Sequence, residues 1–435
     1  AIDRGYEAAT AQAPAIEHLA AITGAHERKL AIANHKPIRL TKIKLDNQSA
    51  ISDHVILNRL SSQLGKPLDQ QQLHKEISHL HGTGYFGFID YNININEQNQ
   101  ASANLKIENH PLAPNFLRFH VTLEDSFKGK SKYSVGARHT YLPANELGGE
   151  WRNEIIFGDE SRIFTEWFQP WTYDGNWFTG LSAEWERRTV NVIENNTITS
   201  ELRYTGSEAK LYGGYQYGSN MYVIGGLRSG QGVLQEIVGT SGLNFPELDV
   251  GESYIEIGFD KLDHRYFPQH GRSGYLNVAQ GSEFMGANDA YNKWTLNWLQ
   301  ATTRGKNTFG YQIQAGSFLS DAAPIQEQYQ AGGFLRLSGF SRDELIGPHW
   351  RFFNVYYMHR LNNKVSAALD TPIFLGSSLE WGNVWQQKDD IRYQDAVLAG
   401  SVFLGIDTTF GPLYLAYGVN DQQRDALYLF LGSPF

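Results

Sequence analysis

The chain has no cysteine, only three methionines in 435 residues, no long apolar run and no basic block. Without cysteine there is no disulfide framework, no thiolate metal site and no cysteine nucleophile, although an oxidising compartment stays open. With 37 basic against 46 acidic residues and a formal net charge of -9, the chain lacks the clustered Lys and Arg that phosphate recognition needs, which excludes a nucleic-acid role. No stretch approaches the ~20 apolar residues of a membrane helix. A mean hydropathy of -0.41 would ordinarily describe a soluble protein. Transmembrane β-barrels escape that rule, because their strands alternate lipid-facing and lumen-facing residues and average to a soluble-looking value while staying rich in Gly and aromatic rings.

What the chain does have is 43 glycines and 13% aromatic residues, and the aromatics are unevenly spread. Residues 1–114 hold only Tyr6, Tyr85, Phe86, Phe88 and Tyr91, while all ten Trp lie between Trp151 and Trp385. Many amphipathic rings suit two interfacial girdles better than a soluble core. The sequence therefore divides near residue 112 into two regions of different physics.

Residues 1–35 read as an Ala-rich helical linker with an apolar stripe at Ile2, Tyr6, Ala9, Ile16, Leu19 and Ile22. The chain opens without the charged and apolar regions of a signal peptide, so the expectation is a cleaved signal or a piece of something longer. From residue 36 to 112 the pattern is β-α-α-β-β. Ile38 to Leu45 fit a strand, and Ser52 or Asp53 caps a helix with Val55, Ile56, Leu60 and Leu64 on one face. Gly65 and Pro67 end that helix. Asp69 with Gln72 forms a capping-box signature opening a second helix through Leu73, Ile77 and Leu80. Two strands follow, at 85–94 and 103–108. Gly65-Lys66-Pro67-Leu68-Asp69 and Thr83-Gly84-Tyr85-Phe86 resemble a POTRA domain, the periplasmic module of Omp85-type outer-membrane proteins. That resemblance implies a scaffold whose sheet edge accepts an extended peptide.

From residue 113 onward, sixteen strand-like segments are separated by Gly, Asn, Asp and Pro turns, beginning with 115–126 and 131–142 and ending with 411–420 and 425–435. An even number of antiparallel strands suits a closed barrel, which leaves no unsatisfied edge in lipid. The expected fold is thus an all-β transmembrane barrel of sixteen antiparallel strands behind a small α+β domain. One connection, 320–348, is far longer than an ordinary loop and carries Gly332-Gly333 followed by an apolar run.

These features resemble the translocator of an Omp85-superfamily protein, whose sixth outer loop folds into the lumen and ends in a [V/I]-R-G-[F/Y] tip. The corresponding residues here are Arg336, Leu337, Ser338, Gly339 and Phe340, with Ser338 at the family's arginine position, and Arg342 just beyond. The family arginine meets an acidic residue in an Asp-x-Gly motif on the thirteenth strand, here matched by Glu380 and Gly382. A lumen carboxylate wants a cation, so the expectation is that Arg336 or Arg342 supplies it. Residues Asp260 to Pro268 with Gly271 resemble the family's inner strand-turn, and the terminal Phe435 resembles the signal read by the barrel insertion machinery. The family also implies a weak seam between the first and last strands that opens during transit.

The opening Ile2-Asp3-Arg4-Gly5-Tyr6-Glu7-Ala8-Ala9 resembles the end of a patatin-like lipase domain, as fused ahead of one POTRA domain in type Vd autotransporters. The resemblance implies an outer-membrane protein with its POTRA domain in the periplasm, which secretes or surface-tethers its own fused lipase. Its partners would be outer-membrane lipid, the insertion machinery and its own N-terminal passenger, with a homodimer left open. An assembly factor that inserts other barrels is the alternative, as is a lipid-hydrolysing activity inherited from the parent phospholipase. No cofactor, metal site or catalytic residue is expected in this chain: it holds no G-x-S-x-G elbow, and His79 with His81 lacks a third ligand.

Overall fold

The computed structural model describes residues 12, 38–125, 127, 131–194, 197–218, 220–239, 247–362, 371–408 and 411–432. The helical linker read at 1–35, residue 12 apart, and the terminal Phe435 fall outside them.

The first unit runs β1 (Arg39–Asn47), α1 (Asp53–Ser61), α2 (Gln70–Gly82), β2 (Phe86–Ile95) and β3 (Gln100–Asn109). Ser52 caps α1 by accepting from the His54 N–H at 3.3 Å, and Asp69 caps α2 by accepting from Gln71 and Gln72. The capping box forms only on that side, because the Gln72 amide reaches forward to Glu76 at 2.7 Å instead of back to the cap. The apolar stripes of both helices, Ile56 and Leu60 on α1 and Leu73, Ile77 and Leu80 on α2, close on Leu40, Phe86, Ala103, Leu105 and Ile107 of the sheet. Each such fully buried Leu or Ile contributes about 1.5–3 kcal/mol. Leu64, read as part of the α1 face, is instead 40% exposed past the end of the helix. The sheet order is β1-β3-β2, with β1 parallel to β3. The outer edge of β1 bonds the 65–68 segment through Leu40 and Ile38, whereas the outer edge of β2 carries no further ladder among the described residues.

Eleven strands then run consecutively: β4 (Asn115–Asp125), β5 (Ser131–Tyr141), β6 (Glu150–Gly158), β7 (Ser161–Pro170), β8 (Trp177–Glu194), β9 (Thr197–Tyr217), β10 (Met221–Val238), β11 (Leu248–Asp260), β12 (Gly271–Gly281), β13 (Tyr291–Arg304) and β14 (Asn307–Phe318). After a long loop holding the short pair β15 (Tyr329–Ala331) and β16 (Leu345–Gly347) come β17 (His349–Arg360), β18 (Ile373–Trp385), β19 (Val397–Thr408), β20 (Gly411–Asn420) and β21 (Asp425–Leu431). All except β15 and β16 join one closed antiparallel barrel of sixteen strands, as the alternating segments led one to expect. No helix among the described residues is long and apolar enough to cross a membrane.

The barrel's outer face carries an apolar band of Val135, Ile155, Leu181, Leu211, Leu227, Ile255, Leu375, Val402 and Leu415, all exposed. Exposed rings border it: Trp151, Trp177 and Tyr217 at the mouth nearest the small domain, Tyr133 and Phe157 at the far mouth. This is the pattern of a bilayer-spanning wall with two aromatic girdles. Inside, tyrosines lie flat on cross-strand glycines. A Cβ at Gly226 or Gly310 would sit 2.7 Å from the Tyr254 ring or 2.1 Å from the Tyr356 ring. The high glycine and tyrosine contents are thus two halves of one packing device.

The small domain docks on the near mouth. The Ser52 N–H donates to the Glu146 carbonyl at 2.9 Å, and the Tyr85 hydroxyl donates to the Gly148 carbonyl at 3.2 Å. Burial, reinforced by the Glu150 charge and opposed by Arg59, pushes the Tyr85 phenol up to about 12. Because the folded value lies above the ordinary value of 10.0, the docking contribution is complete below pH 10 and is lost as pH rises through about 12. The difference in phenolate absorbance between wild type and Tyr85→Phe is expected to titrate near pH 12; titration at pH 10 would mean that the tyrosine is not enclosed.

Gly271 opens β12 with φ +109°, and a Cβ there would lie 1.9 Å from the Lys261 carbonyl oxygen. Gly271→Ala is expected to destabilise the folded barrel by about 1–3 kcal/mol, read as a lower denaturant midpoint, whereas Gly305→Ala, at φ +65° but in open space, carries only the backbone strain and costs less.

Candidate functional site: the lumen loop

The 319–348 connection leaves β14 at the far mouth and folds down into the barrel, where Leu337, Ser338 and Phe340 are almost completely buried. Leu335, Leu337, Gly339 and Asp343 all take positive φ, so the tip is a succession of left-handed turns that aims neighbouring N–H groups at the wall. The Ser338 N–H donates to Glu380 Oε2 at 2.7 Å and its hydroxyl donates to Oε1 at 2.8 Å. The Ser378 hydroxyl donates to the same Oε1 at 2.5 Å and touches the Ser401 hydroxyl at 2.7 Å. Glu380 is fully buried on β18, and among the described residues its hydrogen-bond donors are all neutral.

The expected arginine partner is therefore absent from Glu380. Arg342 points elsewhere, donating to Glu124 on β4 at 3.1 Å, with Asp343 at 3.3 Å and Glu160 at 3.8 Å. Arg336 lies 5.8 Å above the Trp350 ring, and burial lowers the pKa of its guanidinium. The physical reason is that neutral donors already serve the group: a backbone N–H and two hydroxyls meet the carboxylate, and hydrogen bonds to a charged group contribute about 1.5–3 kcal/mol each without the cost of desolvating a second ion. Gly382 lies two residues on, where a Cβ would come 2.5 Å from the Arg351 carbonyl, so its role is to let β17 and β18 approach.

Further contacts hold the tip. Tyr428 on β21 accepts from the Gly339 N–H at 2.8 Å and donates to the Phe340 carbonyl at 2.7 Å, and the Asn354 amide donates to the Leu335 carbonyl. The root of the loop is held by charge. Glu327 sits 2.5 Å from Lys293 and 2.7 Å from Arg228, and both cations also pair with Glu252. Burial would raise the Glu327 carboxyl, but Lys293 and Arg228 outweigh it and hold it down at about 2.

A second insertion comes from the near mouth. The 261–270 turn places Phe267 inside the barrel, stacked on Phe374 at 4.9 Å and beside Tyr414 at 5.1 Å. Phe334 of the long loop meets Tyr414 at 5.2 Å from above. The two insertions thus share one aromatic cluster. Sequence reasoning noted the Asp260–Pro268 segment only as a turn; the apolar Tyr266-Phe267-Pro268 inside it was the available sign that it packs inward. Beside these insertions a cavity of about 720 Å³ remains along β4 to β8, lined by Arg118, His120, Arg138, Glu154 and Arg162 among others.

Residues 38–109 match the family model POTRA, described as a surface antigen variable number repeat. No curated protein sequence matches the chain. Among solved structures the chain is similar to BamA from Haemophilus ducreyi lacking POTRA domains 1–3, with 14% identity over 91% of this chain and 84% of that one and a TM-score of 0.63. It is similar to CdiB from Acinetobacter baumannii, with 14% identity over 90% and 73% and a TM-score of 0.59. CdiB from Escherichia coli gives 12% identity over 91% and 76% and the same TM-score of 0.59. At these identities the likeness is one of fold: a POTRA domain leading into a closed sixteen-stranded barrel.

Ser338→Ala removes the hydroxyl donor to Glu380 while keeping the backbone one. It is expected to weaken the tip by about 1–3 kcal/mol, read as faster amide exchange at 335–340 with little change at the Glu327 root. Equal loosening at both places would show that the loop is held as a single unit.

Proposed function

We propose that this chain is the outer-membrane translocator of a type V secretion protein of the Omp85 kind, exporting a passenger fused ahead of the POTRA domain at 38–109. The observation that carries this reading is the lumen itself. It is obstructed by a loop held through hydrogen bonds and ion pairs, which can be exchanged for water, and a cavity of about 720 Å³ remains beside it. The POTRA domain sits on the periplasmic side and the far mouth faces outward. The outer edge of β2, with Phe88 and Ile95 half exposed beside it, is suited to receive an unfolded segment by strand addition.

The resemblance of residues 2–9 to the end of a patatin-like domain makes a lipase the passenger. Those residues lie outside the described ones, so sequence alone supports this part. The terminal Phe435, also outside them, remains the proposed insertion signal. The passenger, outer-membrane lipid and the insertion machinery are the partners of this reading.

The assembly-factor reading, in which the barrel inserts other barrels, draws on the same architecture and on the short pairing between β21 and β4. It differs in what is measured: it requires that the chain accelerate the folding of a second, unfused barrel into liposomes.

With a reporter passenger fused ahead of Ala1, external protease is expected to shave the passenger from intact cells. Phe88→Asp with Ile95→Asp is expected to reduce that surface fraction several-fold while leaving the barrel folded. A passenger that stays periplasmic, with the unfused-barrel assay positive, would favour the assembly factor. The chain 1–435 alone is expected to release no fatty acid from phospholipid, and hydrolysis there would overturn the assignment.

A further inference from the structure

Among the described residues the barrel's shortest register is the one at which it closes. Among the described residues β21 meets β4 only at Leu429–Asp125, Phe430–Glu124 and Leu431–Leu123, whereas its other edge pairs with β20 from Leu413–Leu431 through Val419–Asp425. Both strands of that join are gripped from inside by one short stretch of the lumen loop.

On the β4 side, Arg342 donates to Glu124, which is itself a residue of the join, opposite Phe430. On the β21 side, Tyr428 holds the Gly339 N–H and the Phe340 carbonyl. In the turn entering β21, Arg424 pairs with Glu344 and lies 4.6 Å above the Phe340 ring. The stretch between these grips is knotted on itself, with the Ser341 N–H donating to Glu344 Oε2 at 2.8 Å and the Glu344 N–H donating to the Ser341 carbonyl at 3.3 Å. It can therefore carry a pull from one strand to the other.

We infer that residues 339–344 form an internal strap that staples the first barrel strand to the last, so that withdrawing the loop and opening the seam are one event. Glu124 and Tyr428 are both buried, while the Arg342 side chain is 29% exposed, so the Tyr428 grip is the drier of the two. Breaking the Glu124–Arg342 pair leaves an unpaired charge inside the wall. The coupling is reciprocal by linkage: whatever the strap adds to seam closure, a closed seam adds to the strap. The inference deepens the translocator reading and rests on it for its use in export, while its geometry stands apart from it.

Because the chain has no cysteine, the pair Asp125→Cys with Leu429→Cys introduces the only two thiols. In the full chain, folded in lipid nanodiscs, the amides of Ser338, Gly339 and Ser341 are to be compared by hydrogen exchange with this pair oxidised and reduced. Locking the seam is expected to slow their exchange about fivefold or more, the lower end of ordinary coupling between sites. In the converse arm, Arg342→Gln in the cysteine-free chain is expected to speed exchange at 123–125 and 429–431 by a similar factor. Loop exchange that is indifferent to the seam disulfide overturns the strap, and so does an Arg342→Gln chain that loosens its loop alone. If Arg342→Gln does not fold, the oxidised and reduced comparison decides by itself. Neither arm involves transport, so failure of the export reading and failure of the strap are separately visible.

Discussion

A sheet placed in lipid has to satisfy every backbone hydrogen bond within itself, because no water is present to complete them. For this chain the constraint bears hardest at one place, the join between β21 and β4, where the described register covers only three residue pairs. The other barrel strand pairs have longer described registers. The lumen loop lies against β17 to β21 and reaches across to Glu124, so the polar groups that hold it also touch both strands of that join.

The manner of holding matters as much as the place. Where the loop-tip pattern that this segment resembles sets an arginine against an acid, this chain has Ser338 against Glu380, with Ser378 as a further donor. A buried ion pair would carry a large desolvation cost on release and recapture. Hydrogen bonds from hydroxyls and a backbone N–H are strong while buried, yet water can replace them one at a time. Charge has been moved to the periphery of the loop, to Glu327 at the root and Arg342 beyond the tip. Those groups set the loop's position relative to the wall, while the neutral latch fixes its tip.

The fold was legible because a barrel writes itself into the chain with period two. Each of the sixteen alternating segments corresponds to a strand, and the two helix stripes of the first unit bury the residues their spacing selects, with Leu64 the exception once its helix has ended. The loop was recognisable by its length and apolar content. Its internal wiring was not. Which way Arg342 points depends on left-handed turns at Leu335, Leu337 and Asp343; aspartate tolerates that conformation, but the two leucines ordinarily avoid it, so no propensity rule marks the turn as a whole. The Ser338–Glu380 pair was found by motif matching, but its chemistry was misjudged because a sequence shows charges and hides backbone donors. Phe267 was missed as a second insertion since a ten-residue turn gives no periodicity to read.

The central claim is that the loop and seam of this barrel are the moving parts of an export device. The most direct measurement is surface exposure of a passenger fused ahead of the POTRA domain, followed in cells carrying Asp125→Cys with Leu429→Cys. The expected result is that passenger display stops when the seam disulfide is formed and resumes on reduction, with the barrel folded in both states. Display that continues unchanged through an oxidised seam would contradict the claim.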